Sequence, residues 1–495
     1  MSVKPIIEIR STATRQPQYQ LNGVESLTIN RGEQIAIVGG NGSGKSILVG
    51  ILTGAHPLRD GDGVLYDFGV DAISNKIYDN IKYIAFRDST AASGGADSGY
   101  FYQQRWNSTA LEDSPRVCDE LPSVDGCDNR IVELREKLFE LFKIDKIYDK
   151  RLVLLSSGEM RKFQITKALL NAPQMLIMDN PFIGLDAATR DTLHILMGDL
   201  AKMGSVQIVV VLSKTDDIPK FITHIIELKS RTVTPKCTLE EYYASAKPVP
   251  ESVLPNDLRL RIEELPVAQI NNSKSDMVAQ LRNVSIKYGD RTILKSLDWS
   301  VRQGERWALS GENGSGKSTL LSLVCADNPQ AYACDIALFG RDRGTGESIW
   351  DIKRHIGYVS PEMHRAYLLP NRAIEIVASG LHDTIGLNRK MQPEQIDICR
   401  FWMEVFGVEA LEERIFTQLS SGEQRLILLA RAFVKDPALL ILDEPLHGLD
   451  MTNRRRVTEI IECFSLRPNK SLIMVTHYPA ELPSTITNSI HLKRN

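Results

Sequence analysis

Two copies of a glycine-rich segment that ends in lysine and serine carry the clearest chemical signal in this chain. The first copy reads GGNGSGKS over residues 39–46, and the second reads GENGSGKS over residues 311–318. Glycines at this spacing let successive backbone N–H groups point inward around phosphate oxygens, and the lysine reaches the terminal phosphates. The N-terminus of a following helix adds partial positive charge. Each segment therefore predicts a site that binds the phosphates of a nucleotide.

The predicted nucleotide-binding residues follow directly from these two segments. In the first segment they are Gly39, Asn41, Gly42, Ser43, Gly44, Lys45 and Ser46. In the second segment they are Gly311, Asn313, Gly314, Ser315, Gly316, Lys317, Ser318 and Thr319. The hydroxyls of Ser46 and Ser318 are predicted ligands of Mg²⁺. A glycine turn before a helix is the alternative for a single copy, but two copies, each after an apolar strand, favour the phosphate site.

A second repeated segment places a carboxylate at the end of an apolar strand. MLIMDNPFIGLD spans residues 175–186, and LLILDEPLHGLD spans residues 439–450. Asp179 and Asp443 fit the role of holding a metal ion from the end of a strand. The alternative is a helix cap, because many buried strands end in an aspartate that starts the next helix.

Two further side chains of the second copy could carry out general acid–base chemistry. Glu444 follows Asp443 and could polarise the water that attacks the γ-phosphate. His477 follows the apolar strand LIMVT, and its position after the other motifs favours a catalytic role over a structural one. Together with Lys317, these residues form the predicted catalytic set.

The same series of motifs occurs twice along the chain. LSSGE occurs at residues 155–159 and again at 419–423, each time between the glycine-rich segment and the strand-terminal aspartate. A repeat of this kind indicates two homologous domains in one chain. The predicted domains are residues 1–240 and 277–495, joined by a linker at 241–276 that is rich in Pro, Ser, Asn and mixed charge.

Each half predicts an α/β fold with a parallel sheet. Continuous apolar runs such as IVVVL at residues 208–212 alternate with helical patterns. Such runs are typical of parallel strands that are covered by helices on both faces. The middle of each half, at about residues 88–160 and 361–425, has helical periodicity and predicts a helical subdomain.

Composition excludes several classes of protein. The 59 Lys and Arg residues against 62 Asp and Glu residues give a net charge of −3, so no nucleic-acid partner is expected from charge alone. The apolar runs are far shorter than the roughly 20 residues that span a bilayer, and the N-terminus lacks the apolar core of a signal peptide. The seven cysteines include no C-x-x-C pair, which argues against a disulfide framework or a zinc ribbon. We expect a reduced, cytoplasmic protein.

The order of phosphate loop, LSSGE, strand-terminal aspartate, GLD and histidine resembles the ATP-binding-cassette family over nearly the whole chain. The resemblance implies two ATP-binding domains that use Mg²⁺, each with a RecA-like parallel-sheet core and a helical subdomain. It also implies that the LSSGE turn of each half closes on the nucleotide of the other half, through Ser156 and Gly158 or through Ser420 and Gly422. Two composite sites would then form by pairing of the two domains within one chain.

The two sites are predicted to be unequal. In the first half Asn180 follows Asp179, Lys214 stands where the second half has His477, and no aromatic residue matches Tyr288. The resemblance assigns Tyr288 to stacking on adenine, and the alternative is a surface tyrosine. Loss of a general base commonly costs about 10²- to 10⁴-fold in rate. We expect the first site to hold ATP and the second to hydrolyse it; the alternative is that both sites are active.

The segment at residues 338–364, LFGRDRGTGESIWDIKRHIGYVSPEMH, resembles tandem ATP-binding proteins associated with bacterial molybdate uptake. This resemblance implies an ATPase that energises an importer at the inner face of the plasma membrane, with permease subunits as partners and molybdate as the solute. Transport cassettes normally have a glutamine near the position where this chain has Phe86 and Pro361, and the alternative is that Glu362 or the pair at 103–104 takes its place. Two alternatives stay open: a soluble tandem ATPase that acts on ribosomes or DNA, and a nucleotide-dependent clamp with negligible turnover.

Overall fold

The structure is a computed structural model. It describes residues 5–23, 26–59, 63–69, 72, 74–86, 115–123, 129–152, 155, 157–182, 185, 187–213, 215, 218–245, 252–266, 276–288, 291–312, 314–367, 369–387 and 389–493. The chain divides into two compact units, Met1–Pro248 and Val249–Asn495, called the first and second units below. The division falls inside the segment predicted as a linker.

The first unit contains a small antiparallel sheet and a larger, mainly parallel one. The small sheet has the strand order Leu27–Asn30, Pro5–Ile9, Val64–Tyr66. The larger sheet has the order Cys237–Thr238, His224–Lys229, Ile35–Gly39, Gln207–Leu212, Met175–Asp179, Ile81–Ala85, and Thr232–Val233 also pairs with His224–Lys229. The five longer strands of this sheet are all parallel to their neighbours.

The second unit repeats this arrangement. Its antiparallel sheet has the strand order Arg291–Arg302, Met277–Tyr288, Asp335–Leu338, Arg341–Asp342. Its parallel sheet has the order Ile356–Val359, Leu439–Asp443, Ser471–Val475, Arg306–Gly311, Asn488–Leu492. The predicted α/β fold with parallel sheets in two repeated domains is confirmed.

In both units helices pack against the parallel sheet through shared hydrophobic clusters. The α-helices of the first unit are Lys45–Leu52, Ile77–Asn80, Val117–Glu120, Asn129–Phe142, Ser157–Leu169, Ala187–Lys202 and Leu239–Ser245. Those of the second unit are Asn256–Glu263, Lys317–Val324, Ile349–Lys353, Pro361–Ala366, Ala373–Ser379, Pro393–Val405, Ser421–Phe433 and Met451–Leu466. Within the described ranges, every helix is too short or too polar to cross a bilayer.

The central parallel strands, such as Gln207–Leu212, Leu439–Asp443 and Ser471–Val475, are buried along their whole length, which explains their continuous apolar sequences. In the strand Leu439–Asp443, Leu440 and Leu442 pack into one hydrophobic cluster, whereas Leu439 and Ile441 pack into another on the opposite face. Successive side chains of a strand point to opposite faces, so a strand with two buried faces is apolar at every position. In the strand Leu439–Asp443 the one polar residue is therefore the aspartate at its end.

The buried carboxylate of Glu459 binds the first described residues of the second unit through hydrogen bonds. Glu459 Oε1 accepts a hydrogen bond from the backbone N–H of Val253 at 3.0 Å. Its Oε2 accepts from the backbone N–H of Leu254 at 3.1 Å, from the hydroxyl of Ser252 at 2.9 Å and from the guanidinium of Arg259 at 3.1 Å. This part of the predicted linker is therefore ordered against the long helix that contains Glu459.

The short helix Asn256–Glu263 continues this attachment. Leu258 and Ile262 lie in the main hydrophobic cluster of the second unit. On the exposed side of the same helix, Arg261 forms an ion pair with Glu404 at 3.0 Å. The helix is thus held by one buried and one exposed carboxylate. Their contributions to the free energy of unfolding can therefore be compared.

Substitution Glu459→Gln should lower the free energy of unfolding of the second unit by about 2–4 kcal/mol, because the amide removes a buried charge that compensates Arg259 and replaces an acceptor by a donor. Urea unfolding followed by tryptophan fluorescence measures this, since four of the five tryptophans lie in the second unit. The exposed pair supplies the control: Glu404→Gln should cost less than about 1 kcal/mol. Equal effects of the two variants would contradict the assignment.

Candidate functional site

In each unit the glycine-rich segment wraps around its own lysine. Lys317 Nζ donates hydrogen bonds to the carbonyl oxygens of Gly311 at 2.6 Å and Glu312 at 3.0 Å. Lys45 Nζ makes the equivalent bonds to the first two residues of its own loop, at 2.7 and 2.8 Å. The two ammonium groups therefore occupy matching positions, each bonded to the carbonyl oxygens of the first two residues of its loop.

Glycine is required at the end of the strand that enters each loop. At Gly311, where φ is 148°, a Cβ atom would lie 2.4 Å from the carbonyl oxygen of Leu492 and 2.6 Å from Oγ of Ser315. At Gly39 a Cβ atom would lie 2.4 Å from the carbonyl oxygen of Leu228. Distances this short exclude any side chain without movement of the neighbouring strand.

The remaining loop residues lead into the helix that follows. The left-handed positions are taken by glycines, with φ values of 72° at Gly42, 102° at Gly44, 82° at Gly314 and 98° at Gly316. The helices begin at Lys45 and Lys317, so Ser46, Ser318 and Thr319 lie in their first turns, and Asn41 lies in the turn before. Asn313 lies outside the described residues.

Each loop also buries a serine hydroxyl. Ser43 Oγ and Ser315 Oγ are shielded from solvent and have no hydrogen-bond partner among the described residues. Buried polar groups are normally paired. Two equivalent hydroxyls without a partner among these residues, each beside the loop lysine and a helix N-terminus, fit a loop that binds an anion such as a phosphate.

Sheet order brings the strand-terminal aspartates to the phosphate loops. In the second unit the strand that ends at Gly311 and the strand that ends at Asp443 both pair with Ser471–Val475, on opposite sides. In the first unit the strands that end at Gly39 and Asp179 flank Gln207–Leu212 in the same way. Because the carboxyl ends of parallel strands meet at one edge of a sheet, loop and aspartate converge there.

The residue after each aspartate has the same backbone geometry in both units. Asn180 and Glu444 both have a φ of 51°, in the left-handed region. The backbone N–H of Asn180 donates to the carbonyl oxygen of Val211 at 2.9 Å, and that of Glu444 donates to Val475 at 2.9 Å. The two positions therefore differ in the chemistry of the side chain and not in its attachment.

In the first unit both carboxylate oxygens of Asp179 accept hydrogen bonds from neighbouring side chains. Asn180 Nδ2 donates to Oδ1 at 2.8 Å, and the hydroxyl of Tyr83 donates to Oδ2 at 3.0 Å. The amide of Asn180 is thus turned toward Asp179 as a donor. This arrangement leaves a carboxylate that can face a cation but places no general base beside it.

In the second unit Glu444 is buried next to His477. Glu444 Oε1 lies 3.8 Å from His477 Nε2 and accepts no hydrogen bond within the described ranges. Burial raises the pKa of the Glu444 carboxyl well above its usual range, and the carboxylates of Asp443 and Glu481 raise it further, whereas the guanidinium of Arg425 lowers it. A raised pKa makes the carboxylate of Glu444 a stronger proton acceptor than an exposed carboxylate, which suits a general base.

An ion pair supports the turn that carries His477. The Arg454 guanidinium lies 3.0 Å from the carboxylate of Glu481, and both side chains are largely buried. Glu481 also accepts a hydrogen bond from the Thr476 hydroxyl at 2.9 Å, and Thr476 Oγ1 accepts one from the backbone N–H of Tyr478 at 3.1 Å. These contacts fix the residues immediately before and after His477 in the sequence.

The LSSGE segment of the second unit begins a helix. Ser420 Oγ accepts from the backbone N–H of Glu423 at 3.4 Å, and the Glu423 carboxylate accepts from the backbone N–H of Ser420 at 2.7 Å. This is a capping box at the start of Ser421–Phe433. It gives the glutamate of LSSGE a structural role, and Gly422 lies in the first turn of the helix.

The corresponding segment of the first unit is described from residue 157 onward. Gly158 lies in the helix Ser157–Leu169, and a Cβ atom there would be 2.5 Å from Cγ2 of Thr189. Ser156 and Lys214 lie outside the described residues.

Tyr288 ends the strand Met277–Tyr288 and is fixed by its hydroxyl. Asn328 Nδ2 donates to the Tyr288 hydroxyl at 3.0 Å and to Ser322 Oγ at 3.1 Å. Ser322 belongs to the helix that follows the second phosphate loop. The aromatic ring is therefore tied to the same helix as Lys317, and its stacking on adenine stays a prediction.

The two departures from the glutamine of transport cassettes have different local structures. Phe86 is buried, and the guanidinium of Arg161 lies over its ring at 4.5 Å. Pro361 is the first residue of the helix Pro361–Ala366, whose N-cap is Ser360. Neither side chain can sense a phosphate by hydrogen bonding.

The donor set at the second phosphate loop fits Mg²⁺ brought by a nucleotide. Among the described residues, no group of three or more His, Cys, Asp or Glu side chains could hold a metal ion alone. Magnesium is typically bound by one or two protein oxygens together with phosphates and water. Asp443 and Ser318 supply oxygens of this kind.

Sequence reasoning missed three charged side chains near the site: Arg425, Arg454 and Glu481. Arg425 had a usable signal, because Arg161 occupies the same place in the first repeat, two residues after LSSGE. Arg454 and Glu481 had none, since only the fold brings the two residues together.

Comparison with known proteins places these motifs in context. The sequence profile of the ABC transporter family matches residues 22–183 and 294–447. The chain is 34% identical over 474 residues to the ABC transporter ATP-binding protein ModF of Escherichia coli (strain K12), covering 94% of this chain and 92% of that protein. It is 27% identical over 490 residues to an uncharacterized ABC transporter ATP-binding protein of Schizosaccharomyces pombe, covering 98% and 97%.

Solved structures share the fold. An RNase-L inhibitor structure matches with a TM-score of 0.52 at 16% identity, covering 93% of this chain and 83% of that one. A structure of ribosome-bound archaeal Pelota and ABCE1 matches with a TM-score of 0.56 at 17% identity, covering 96% and 77%. At this level of identity the likeness extends to the fold alone.

Substitution Gly311→Ala should abolish ATP binding at the second loop, because the new methyl group would collide with the backbone of Leu492 and displace the strand that carries the loop. Equilibrium binding of a fluorescent ATP analogue to the Lys45→Ala background, in which the first loop is disabled, measures the second loop alone. The control is Gly198→Ala in the helix Ala187–Lys202, where a Cβ atom would meet only Cδ1 of Phe221, at an ordinary contact distance of 3.9 Å. Unchanged binding in the Gly311→Ala protein would contradict the role of this glycine.

Proposed function

Because the chain belongs to the ABC transporter family of ATP-binding-cassette ATPases and carries two such regions, we propose that it hydrolyses ATP in the second unit and retains ATP in the first. The hydrolysing site uses Lys317, Ser318, Asp443, Glu444 and His477. The observation that carries the proposal is the pair of residues after the strand-terminal aspartates, which share one backbone geometry but present a carboxylate in one unit and an amide in the other.

Catalysis of phosphoryl transfer depends mainly on positioning and charge stabilisation. Lys317 and the backbone N–H groups of its loop bind the β- and γ-phosphates, and Tyr288 stacks on the adenine. Glu444 orients the attacking water and accepts its proton, and His477 next to it contacts the γ-phosphate. Ser318 and Asp443 would hold Mg²⁺ together with the nucleotide, and the ion would supply positive charge to the phosphate oxygens.

The retaining site uses Lys45, Ser46 and Asp179. It has the same anion-binding loop, so it keeps affinity for ATP. Its Asn180 cannot accept a proton near neutral pH, so the bound ATP turns over slowly. Following the family pattern, Ser420 and Gly422 close the retaining site, and Ser156 and Gly158 close the hydrolysing site, so that the two domains pair within one chain.

The proposed use of this ATPase is to energise a membrane importer through permease subunits. Support comes from its 34% identity to a protein named as an ABC transporter ATP-binding protein over 94% of the chain. Molybdate is proposed as the solute from the resemblance of residues 338–364 to molybdate-associated cassettes. The position of Phe86 and Pro361 implies that coupling to a permease does not use the customary glutamine.

Substitution Glu444→Gln should lower the steady-state ATPase rate at least about 100-fold, because the amide keeps the size of the side chain and removes the base. The matched control is Asn180→Ala in the first unit, which should stay within twofold of the unmodified protein. Phosphate release at saturating ATP measures both. If Glu444→Gln kept half of the rate, hydrolysis would have to occur elsewhere, and the assignment of the two sites would fail.

The Glu444→Gln protein, held with ATP and Mg²⁺, should recover permease subunits from detergent-solubilised membranes of the source cells. A binding-impaired Lys45→Ala, Lys317→Ala double variant gives the background. Mass spectrometry identifies the ATP-dependent partners. Recovery of ribosomal proteins or DNA-repair factors instead of a permease would replace the importer by a soluble role, while the ATPase proposal would stand.

A further inference from the structure

A buried arginine of the LSSGE helix contacts the main chain of the proposed base. Arg425 lies in the helix Ser421–Phe433 and is 2% exposed. Its Nη2 donates a hydrogen bond to the backbone carbonyl oxygen of Glu444 at 2.9 Å. The guanidinium therefore connects the helix that begins at Ser420 to the residue that follows Asp443.

The backbone of Glu444 needs such support because its conformation is an unusual one. A φ of 51° lies in the left-handed region, which residues other than glycine adopt at a cost in strain. The N–H of Glu444 is held by the carbonyl oxygen of Val475, two residues before His477. Its carbonyl oxygen accepts one hydrogen bond from the backbone N–H of His447 at 3.2 Å, within the same turn, and one from Arg425, which is the partner that a separate helix supplies.

A buried guanidinium is a costly choice for packing alone. Arginine is rarely buried unless its charge and its donors are compensated. A hydrogen bond from a planar guanidinium to a carbonyl oxygen fixes direction as well as distance. Here the bond is made to Glu444, the residue proposed to orient water. A rotation of the Glu444 backbone would move its carboxylate relative to His477, and the bond from Arg425 opposes such a rotation.

We propose that Arg425 is a positioning residue for hydrolysis: it holds the main chain of Glu444 so that the carboxylate faces the attacking water, and it links that carboxylate to the LSSGE helix of the same unit. The inference rests on the proposed function, because it assumes that Glu444 is the base. Arg425 itself touches neither nucleotide nor water in this role.

The first unit supplies a matched control. Arg161 occupies the same position after the first LSSGE and is also buried. Its guanidinium lies over Phe86 at 4.5 Å, and the residue after the aspartate in that unit is Asn180. If arginine were generally required at this point of the helix after LSSGE, substitution of either arginine would lower the ATPase rate. If Arg425 positions Glu444, only its own substitution lowers the rate.

The test compares Arg425→Gln, Arg425→Lys and Arg161→Gln in steady-state ATPase assays of the full chain. We expect Arg425→Gln to lower kcat about 10- to 50-fold with KM for ATP within twofold, and Arg161→Gln to leave both values within twofold. Arg425→Lys, which keeps one donor without the planar fork, should fall between wild type and Arg425→Gln. Thermal melting and binding of a fluorescent ATP analogue report folding of each variant.

A double variant separates positioning from a structural role. In the Glu444→Gln background, Arg425→Gln should change the residual rate less than twofold, because the group that it positions is gone. An unchanged kcat in folded Arg425→Gln, or an equal loss in Arg161→Gln, would overturn the inference. Should Arg425→Gln not fold, Arg425→Lys decides: a wild-type kcat there would overturn it.

Failure of this inference is distinguishable from failure of the proposed function. Glu444→Gln is measured in the same series. If that variant is inactive while Arg425→Gln has wild-type kcat, Glu444 remains the base and Arg425 has no positioning role. If Glu444→Gln retains its activity, the proposed function fails first, whatever the result at Arg425.

Discussion

The main-chain hydrogen bond that follows each strand-terminal aspartate is the constraint on which the rest of the site depends. In both units the next residue turns into the left-handed region and donates its N–H to the neighbouring strand, at Val211 or Val475. The bond fixes where the side chain of that residue points relative to the phosphate loop. The backbone frame is therefore independent of the side chain, and Asn180 and Glu444 can differ in chemistry without any change in the fold.

Much of the site was predictable because its residues are contiguous in the chain and repeated. The lysines, the loop glycines and the aspartates follow apolar strands, and the parallel sheet brings these strand ends to one edge. The asymmetry between Asn180 and Glu444 was visible for the same reason, since aligned repeats expose a single difference. At Gly39 and Gly311 the structure gives a further reason for glycine that the sequence motif does not show: a neighbouring strand approaches too closely for a side chain.

Other contacts could not be read from the sequence because they join residues far apart in the chain. Arg454 meets Glu481 only after a helix and a strand have been placed side by side. Glu459 accepts hydrogen bonds from Ser252, Val253 and Leu254, which belong to a segment whose composition suggests a flexible linker. In these cases burial decides the outcome: a carboxylate or guanidinium removed from water must find a partner, and the partner comes from whichever element the fold places nearby.

Fusion of two cassettes in one chain gives a physical reason for the proposed difference between the two sites. In a symmetric pair of identical chains, any substitution at the base position would appear in both sites and stop hydrolysis altogether. A tandem chain encodes each site once, so Asn180 can replace a carboxylate in the first unit while Glu444 keeps it in the second. The anion-binding loop survives in both, because its backbone groups and lysine bind phosphate without the base. Loss of hydrolysis at one site can therefore leave its affinity for the nucleotide intact.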